Sequence, residues 1–140
     1  METTTNQSSI ETVAHSIAEL ATTLDRPFLA IDALTTLVAE ITDNDISRFT
    51  AGVHSRRNNP RWVNVLYTRT ETGPYDHYEY AVELNVTAAS ASVRDQRSGS
   101  GWSDPAPRGD SLTFEQAAQV FVDGINGVYE NTARHETVIN

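Results

Sequence analysis

The sequence predicts an α+β domain with two N-terminal helices, an antiparallel meander of three to four strands, and a C-terminal helix packed on the sheet. Two observations carry this prediction. Apolar residues recur at intervals of three and four near both ends of the chain, which is the helical period. In the middle they alternate with polar residues, which is the strand period. The length of 140 residues, 39% of them hydrophobic, suits a single domain spanning 1–140.

Two helices are predicted before residue 46. The first follows a polar arm over residues 1–8 and begins with a capping-box spacing between Ser8 and Glu11. A break at Pro27 separates it from the second, because proline is favoured at the start of a helix. The apolar stripe of the first helix is Ile10, Val13, Ile17, Leu20 and Leu24, and that of the second is Phe28, Ile31, Leu34, Leu37, Val38 and Ile41.

The segment from residue 46 to residue 86 has the period of β-strands. Breaks of turn composition at residues 55–60 and 72–76 divide it into three strands, and residues 88–95 could extend the last one. The third strand has one apolar and one polar face, which predicts a sheet that is covered on one side only. Its apolar face is Tyr78, Tyr80, Val82, Leu84 and Val86, and its polar face is His77, Glu79, Glu83 and Asn85.

The last third of the chain is predicted to hold a loop, a helix and a polar tail. Residues 96–110 contain three glycines and two prolines, and we expect a long exposed loop there. Thr113 and Gln116 have capping-box spacing at the start of a helix with an apolar stripe reaching residue 129. Gly124 and Gly127 weaken that helix by about 1 kcal/mol each. Either the helix ends early or close backbone packing compensates, and residues 131–140 are expected to form a polar tail.

The composition predicts a protein adapted to high salt, from a haloarchaeon or one of its viruses. The formal charge is −9, and all ten basic residues are arginine. A high-GC genome also favours arginine, but such chains are rich in alanine, glycine and proline, whereas this one is rich in threonine, serine, asparagine and aspartate. In molar salt the screening length is only about 3 Å. Surface carboxylates then repel one another weakly while their hydration keeps the protein soluble.

The sequence carries no recognisable catalytic, cofactor or metal motif, and we expect no catalytic residue, cofactor or metal. The absence of cysteine excludes disulfides and thiolate chemistry, and the four histidines lack metal-site spacing. His77 with Asp76 and Glu79 could gather a cation, although the outer face of a strand is ordinarily polar. An unfamiliar enzyme using His77 and Glu79 remains an alternative. No signal peptide or membrane span is recognisable, and we expect the chain to stay where it is made and to have no membrane partner.

The charges along the chain are unevenly distributed. Residues 1–45 carry −7 and the segment after residue 69 carries −7, whereas residues 46–69 contain five arginines and no acid. These arginines could pair with the acidic helices of the same chain, or bind an acidic neighbouring protein. Contact with nucleic-acid phosphates is disfavoured, because molar salt removes most of the counterion-release free energy. The predicted partner-binding residues are Arg48, Arg56, Arg57, Arg61, Trp62 and Arg69 of the basic segment, and Trp102 of the long loop.

The order of the elements resembles that of the small tail-terminator and head-tail joining proteins of long-tailed viruses. The elements in question are the helix at Ile10, the hairpins at residues 56–61 and at Pro74, and the helix at Phe114. The resemblance implies rings, commonly hexameric, that cap the tail tube and meet the head connector. It also implies a non-enzymatic subunit of the virion, assembled in the host cytoplasm, whose loops contact other copies of itself and neighbouring virion proteins.

A cellular binding or regulatory domain in the haloarchaeal cytoplasm is the alternative from a different class. Such a domain would hold a small ligand between the sheet and the helices. The aromatic residues that could line its pocket are Trp62, Tyr78, Tyr80 and Trp102.

Overall fold

The computed structural model describes residues 7–56, 59–72, 77–99 and 102–127. Most of the predicted arm, the tip of the first hairpin at Arg57, and the predicted tail at 131–140 lie outside these residues. The helices are α1 (Gln7–Thr22), α2 (Phe28–Thr42) and α3 (Phe114–Asn126), with one 3-10 turn at Ile46–Arg48. The strands are β1 (Phe49–Arg56), β2 (Asn59–Thr72), β3 (His77–Val86), β4 (Ala91–Gly99) and β5 (Trp102–Leu112).

The predicted α+β class and the antiparallel meander are confirmed. The strands lie in the order β1-β2-β3-β4-β5, and each pairs antiparallel with the next in the chain. Val65 of β2 lies opposite Leu84 of β3, which lies opposite Val93 of β4. This register puts the apolar residues of neighbouring strands on one face. Burial alternates along β3 as the sequence predicts, and Tyr80, Val82, Leu84 and Val86 are all buried.

All three helices contribute to the core on that apolar face. Val13, Ile17 and Leu20 of α1 are completely buried, as is Phe121 of α3. They form one cluster with the apolar side chains of β2, β3 and β4. The opposite face of the sheet is mainly polar, as expected for an antiparallel sheet that is covered on one side. The described part of the chain therefore has a helical layer and a sheet layer around a single core.

The prediction of a long loop at residues 96–110 is wrong. Most of this segment lies in the end of β4 and in β5, with Pro105 opposite Gln96 and Pro107 opposite Arg94. Proline lacks the N–H that a central strand needs, but it is compatible with the outer side of an edge strand. The two prolines are two residues apart, so both of their nitrogens are on the same side of the strand. Their spacing therefore suits an edge strand.

The helix boundaries partly follow the predicted signals. Helix α1 begins at Gln7, so that Ser8 is inside the helix rather than capping it. Helix α3 has the predicted capping box, in which Gln116 N–H donates to Thr113 Oγ1 at 3.1 Å and Thr113 N–H donates to Gln116 Oε1 at 2.9 Å. Gly127 ends the helix in the left-handed conformation, with φ 81°.

Gly124 is compensated by close packing. A Cβ atom at this position would lie 3.1 Å from Val82 Cγ1 of β3, which is closer than ordinary van der Waals contact. The glycine therefore lets the backbone of α3 approach the sheet. Both explanations offered by the sequence are correct, because Gly127 ends the helix early and Gly124 packs tightly within it.

Strand structure begins at residue 49 rather than at residue 46. The carboxylate of Asp45 accepts a hydrogen bond from Ser47 N–H at 2.9 Å and starts the 3-10 turn that precedes β1. This backbone hydrogen bond, followed by one from the Ser47 side chain and by the charge of Arg48, lowers the pKa of Asp45 despite a small opposing effect of burial. Arg48 lies in this turn and is exposed.

Asp123 in α3 is a position where removing a charge should stabilise the fold. Burial raises its pKa, although Gln119 Nε2 donates a hydrogen bond to its Oδ1 at 2.9 Å. Because the pKa is higher in the folded state, the ionised carboxylate lowers stability at neutral pH, and this cost disappears as the pH falls through the folded pKa. We expect Asp123→Asn to raise the free energy of unfolding at pH 7 by about 0.5 kcal/mol, a small effect because the group is half exposed.

Thermal unfolding at pH 7 and at about pH 3 would test this expectation, since an aspartate carboxylate with an ordinary pKa near 3.9 is mostly protonated at the lower pH. The gain should be present at pH 7 and absent at pH 3. Asp32→Asn, on the exposed side of α2, is the matched control and should change stability little at either pH. A loss of stability in Asp123→Asn at pH 7 would contradict the prediction.

Candidate protein interaction surface

The turn between α1 and α2 presents two large apolar side chains to solvent. Phe28 and Leu29, the first two residues of α2, are 70% and 84% exposed. The prediction that Phe28 belongs to the buried stripe is wrong. The buried stripe begins at Ala30 and Ile31, whereas Phe28 is the first residue of the helix and is exposed. Two adjacent exposed residues of this size are the kind of apolar surface that commonly marks a protein contact.

Arg61 brings positive charge to the same turn. Its Nη1 donates a hydrogen bond to the backbone oxygen of Asp25 at 3.2 Å, which joins the start of β2 to the turn. Arg26, the next residue, is exposed. We refer to Arg26, Phe28, Leu29 and Arg61 together as the turn surface. Next to it is an open depression of about 340 Å³, lined by Glu19, Thr23, Arg26, Leu29, Ala30 and Ala33.

Trp62 lies on the face of the sheet that the helices do not cover, and its ring packs against residues of its own chain. Its ring stacks on His54 of β1, with ring centroids 5.0 Å apart and an interplanar angle of 20°. Nε2 of His54 hydrogen-bonds to Asn64 Oδ1 at 2.9 Å, and Asn64 Nδ2 donates to Glu83 Oε2 at 3.0 Å. These contacts tie β1, β2 and β3 together across the uncovered face. Trp62 is half-buried as a result.

Arg69 lies at the far end of β2, eight residues and roughly 26 Å from Arg61 at the usual strand rise. It forms an ion pair with Glu71 at 2.6 Å and donates from Nη1 to the backbone oxygen of Ile125 in α3 at 2.7 Å. Its guanidinium also stacks 4.5 Å from the centroid of the Tyr80 ring. Arg69 is therefore held between the sheet and the end of α3, where it stabilises its own chain.

Tyr80 extends this group of contacts into the core. Its single hydroxyl proton has two acceptors within hydrogen-bond distance, Asp95 Oδ2 at 3.0 Å and the backbone oxygen of Gly124 at 3.2 Å. Asp95 is only 1% exposed. We refer to Arg69, Glu71, Tyr80 and Asp95 as the Arg69 cluster. It connects β2, β3 and β4 with α3 through side chains that are far apart in the sequence.

The ionisation of Glu71 follows from its neighbours. Burial alone raises the pKa of this carboxyl, but hydrogen bonds from Tyr78 and Arg69, together with the charges of Arg69 and Arg97, outweigh burial and lower it. The same hydrogen bond to Glu71 is the main cause that raises the pKa of the Tyr78 hydroxyl. Glu71 is consequently ionised and Tyr78 neutral at pH 7.

The predicted partner-binding residues do not form one continuous patch. Arg61 lies at the turn surface, Trp62 on the opposite face of the sheet, and Arg69 at the other end of β2. Arg48 lies in the 3-10 turn before β1. The side chains of Arg56 at the end of β1 and Trp102 at the start of β5, and the whole of Arg57, are outside the described structure. Of the arginines predicted to pair with the acidic helices, Arg69 pairs instead with a glutamate of its own strand.

No protein family matches the chain, and no curated protein or solved structure matches it either. Across residues 7–56, 59–72, 77–99 and 102–127, no group of three or more His, Asp or Glu side chains is arranged to hold a metal ion. His77 Nδ1 instead lies 3.1 Å from Thr72 Oγ1, and Asp76 lies outside this part of the chain. None of the helices seen there is long and apolar enough to cross a membrane.

The turn surface is the feature that sequence reasoning missed. Phe28 and Leu29 are apolar residues in a helical pattern, and the pattern does not show that their side chains are exposed. One signal was present, since Leu29 does not fit the predicted stripe. The Arg69 cluster gave no signal of this kind, because its members meet only through the strand register and the position of α3.

Proposed function

We propose that this protein is a non-enzymatic structural subunit that assembles into a ring, and that the turn surface is one of its subunit contacts. The exposure of Phe28 and Leu29 is the observation that carries the proposal. Burying one large apolar side chain stabilises an interface by about 1.5–3 kcal/mol. In concentrated salt, burial of this pair would stabilise an interface more strongly, because salts that are excluded from protein surfaces strengthen apolar association.

The charges around the turn surface indicate what kind of surface would receive it. Arg26 and Arg61 flank the apolar pair in a chain whose net charge is −9. An acidic surface on a neighbouring copy would complement these arginines, and arginine beside an aromatic residue is a favoured combination at interfaces. A contact between two different surfaces of the same protein is heterologous, and such contacts form a ring when the rotation between copies closes.

A tail-terminator or head-tail joining ring of a haloarchaeal virus is the specific form of this proposal. The confirmed meander with a helix packed on it is compatible with the fold that this resemblance implies. In this form the protein would reside in the virion after assembly in the host cytoplasm, with neighbouring virion proteins as further partners. Membrane and nucleic acid are not among the proposed partners.

The aromatic residues of the alternative ligand-binding domain do not converge. Trp62 lies on the uncovered face of the sheet, while Tyr80 lies under α3 and hydrogen-bonds to Gly124. One pocket between sheet and helices cannot be lined by both. The assembly proposal therefore accounts better for the surface of the described residues.

Light scattering on the purified protein in about 2–3 M salt, where charges are strongly screened, tests the proposal. We expect the wild type to form a discrete oligomer, and the double variant Phe28→Ser, Leu29→Ser to dissociate to smaller species at the same concentration. Serine is well tolerated near the start of a helix, so that the fold should persist.

Thr36→Ser with Glu40→Ser is the control, since both positions are exposed on the same helix and lie farther from Phe28 and Leu29. It should leave the oligomer unchanged, and circular dichroism should show equal helix content in all three proteins. A wild type that stays monomeric at all concentrations and with all candidate partner proteins would refute the proposal. Equal assembly of the wild type and the Phe28, Leu29 variant would refute the role of the turn surface.

A further inference from the structure

Strand β1 forms one edge of the sheet in the described part of the chain. It pairs with β2 in a regular register from Phe49 to His54, and the described residues place no strand on its other side. Ala51 and Val53 are exposed although they lie on the same face of the sheet as Phe49, which is buried. An edge strand presents a row of N–H and C=O groups to any chain that can pair with it.

The composition of β1 is unusual for an edge in an acidic protein. Residues 49–55 include no charged residue and no proline, in a chain with a net charge of −9. Soluble proteins ordinarily protect an edge with charges, proline or a bulge. The opposite edge of this sheet is protected in that way, since β5 contains Pro105 and Pro107 and its register with β4 shifts twice. Strand β1 has one register shift, between His54 and Arg56, and its one charged residue is Arg56 at the end of the strand. Both features leave Phe49 to His54 regular and uncharged, and this part of β1 can accept a further strand.

A second copy of β1 is the occupant that this strand fits best. In an antiparallel pair, residues directly opposite each other have their side chains on the same face of the sheet. If Ala51 lies opposite Ala51 of the second copy, then Phe49 lies opposite Val53, and Val53 opposite Phe49. All three apolar residues of the strand are then in register on the helix side. On the opposite face of the sheet, Thr50 of one copy lies opposite Gly52 of the other. The paired residues from Phe49 to Val53 therefore include no charged residue.

We infer that β1 pairs with β1 of a second copy about a two-fold axis at Ala51, which joins two five-stranded sheets into one. The contact would cover Val53, which is 38% exposed. Because residues 49–55 are uncharged, two copies can approach without the repulsion that their acidic surfaces would cause elsewhere. The inference concerns a different surface from the proposed function and does not depend on it.

A single introduced cysteine provides the sharpest test, because the chain has none of its own. Ala51→Cys would place two thiols opposite each other, at a Cα separation of about 4.5–5.5 Å, which a disulfide can span. Pairing also raises the effective concentration of the thiols to the millimolar range. We therefore expect mild oxidation to link Ala51→Cys into dimers on the order of 100 times faster than a control cysteine at micromolar protein.

Thr70→Cys is the matched control, since Thr70 is an exposed strand residue on β2.

A second variant, Ala51→Arg, would place two like charges opposite each other and should halve the mass measured by light scattering, whereas Thr70→Arg should not. Both cysteines should also be compared in the Phe28→Ser, Leu29→Ser background, where rapid linking through Ala51→Cys should persist even if the turn surface no longer assembles. Equal linking rates for the two cysteines, or an unchanged mass for Ala51→Arg, would overturn the inference.

Discussion

Replacing Gly124 with leucine is expected to lower the free energy of unfolding by about 3 kcal/mol, combining overpacking with the loss of a buried hydrogen bond. Even a Cβ at this position would be 3.1 Å from Val82 Cγ1, and the rest of a leucine side chain must displace α3 from β3. That displacement would also stretch the hydrogen bond from the Tyr80 hydroxyl to the Gly124 oxygen. Chemical denaturation at constant salt would measure the loss.

Gly127 provides the control within the same helix. A Cβ there would meet no atom within 4 Å, although φ of 81° disfavours most side chains. Asparagine adopts this conformation readily, and Gly127→Asn should cost less than about 1 kcal/mol. Similar losses for both variants would contradict the packing explanation, because leucine has a higher helix propensity than glycine and only the close approach to Val82 accounts for a larger loss at position 124.

Replacing Arg69 with methionine is expected to lower the free energy of unfolding by about 2 kcal/mol at pH 7. This is less than the 3–5 kcal/mol typical of breaking a buried pair, because the side chains of Arg69 and Glu71 are 24% and 26% exposed. Methionine can keep much of the packing against Tyr80, but it leaves the Ile125 oxygen without the donor at 2.7 Å. Arg94→Met, an exposed position on β4, is the control and should cost less than about 0.5 kcal/mol.

The Arg69 variant should also change the response to acid. The pKa of Glu71 is lower in the folded state, so its ionised form contributes stability above the unfolded pKa, near 4.3, and that contribution is lost as the pH falls through the folded value. The difference between the wild type and Arg69→Met should therefore shrink below about pH 4. A difference that stays constant from pH 7 to pH 3 would show that the ion pair contributes little.

The sequence predicted the elements whose burial repeats with a simple period. The alternation in β3 and the capping box of α3 were both visible, because each depends on residues close together in the chain. The strand at residues 102–112 could not be predicted from the sequence, because its prolines and glycine are typical of a loop unless the strand is known to lie at an edge of the sheet. Edge position is a property of the whole sheet and cannot be read from the segment itself.

The candidate surface was only partly predictable for a related reason. The excess of arginine in residues 46–69 is visible in the sequence, but the structure separates Arg61 from Arg69 and puts Trp62 on the other face. Arg61 meets the turn surface through a hydrogen bond between residues 36 apart in the chain. Such a contact depends on where the helices sit over the sheet, and local composition contains no information about that position.

The difference between the two sheet edges limits how far strand pairing can proceed. If two copies pair through β1, both outer edges of the joined sheet are β5, with the prolines at positions 105 and 107. A third copy would find no N–H donor at the two prolines in the middle of that strand, and growth into fibres would be disfavoured after the first pairing. Association through β1 would then stop at two copies even in concentrated solution, since each pairing covers the one of the two edges of the described sheet that suits strand addition.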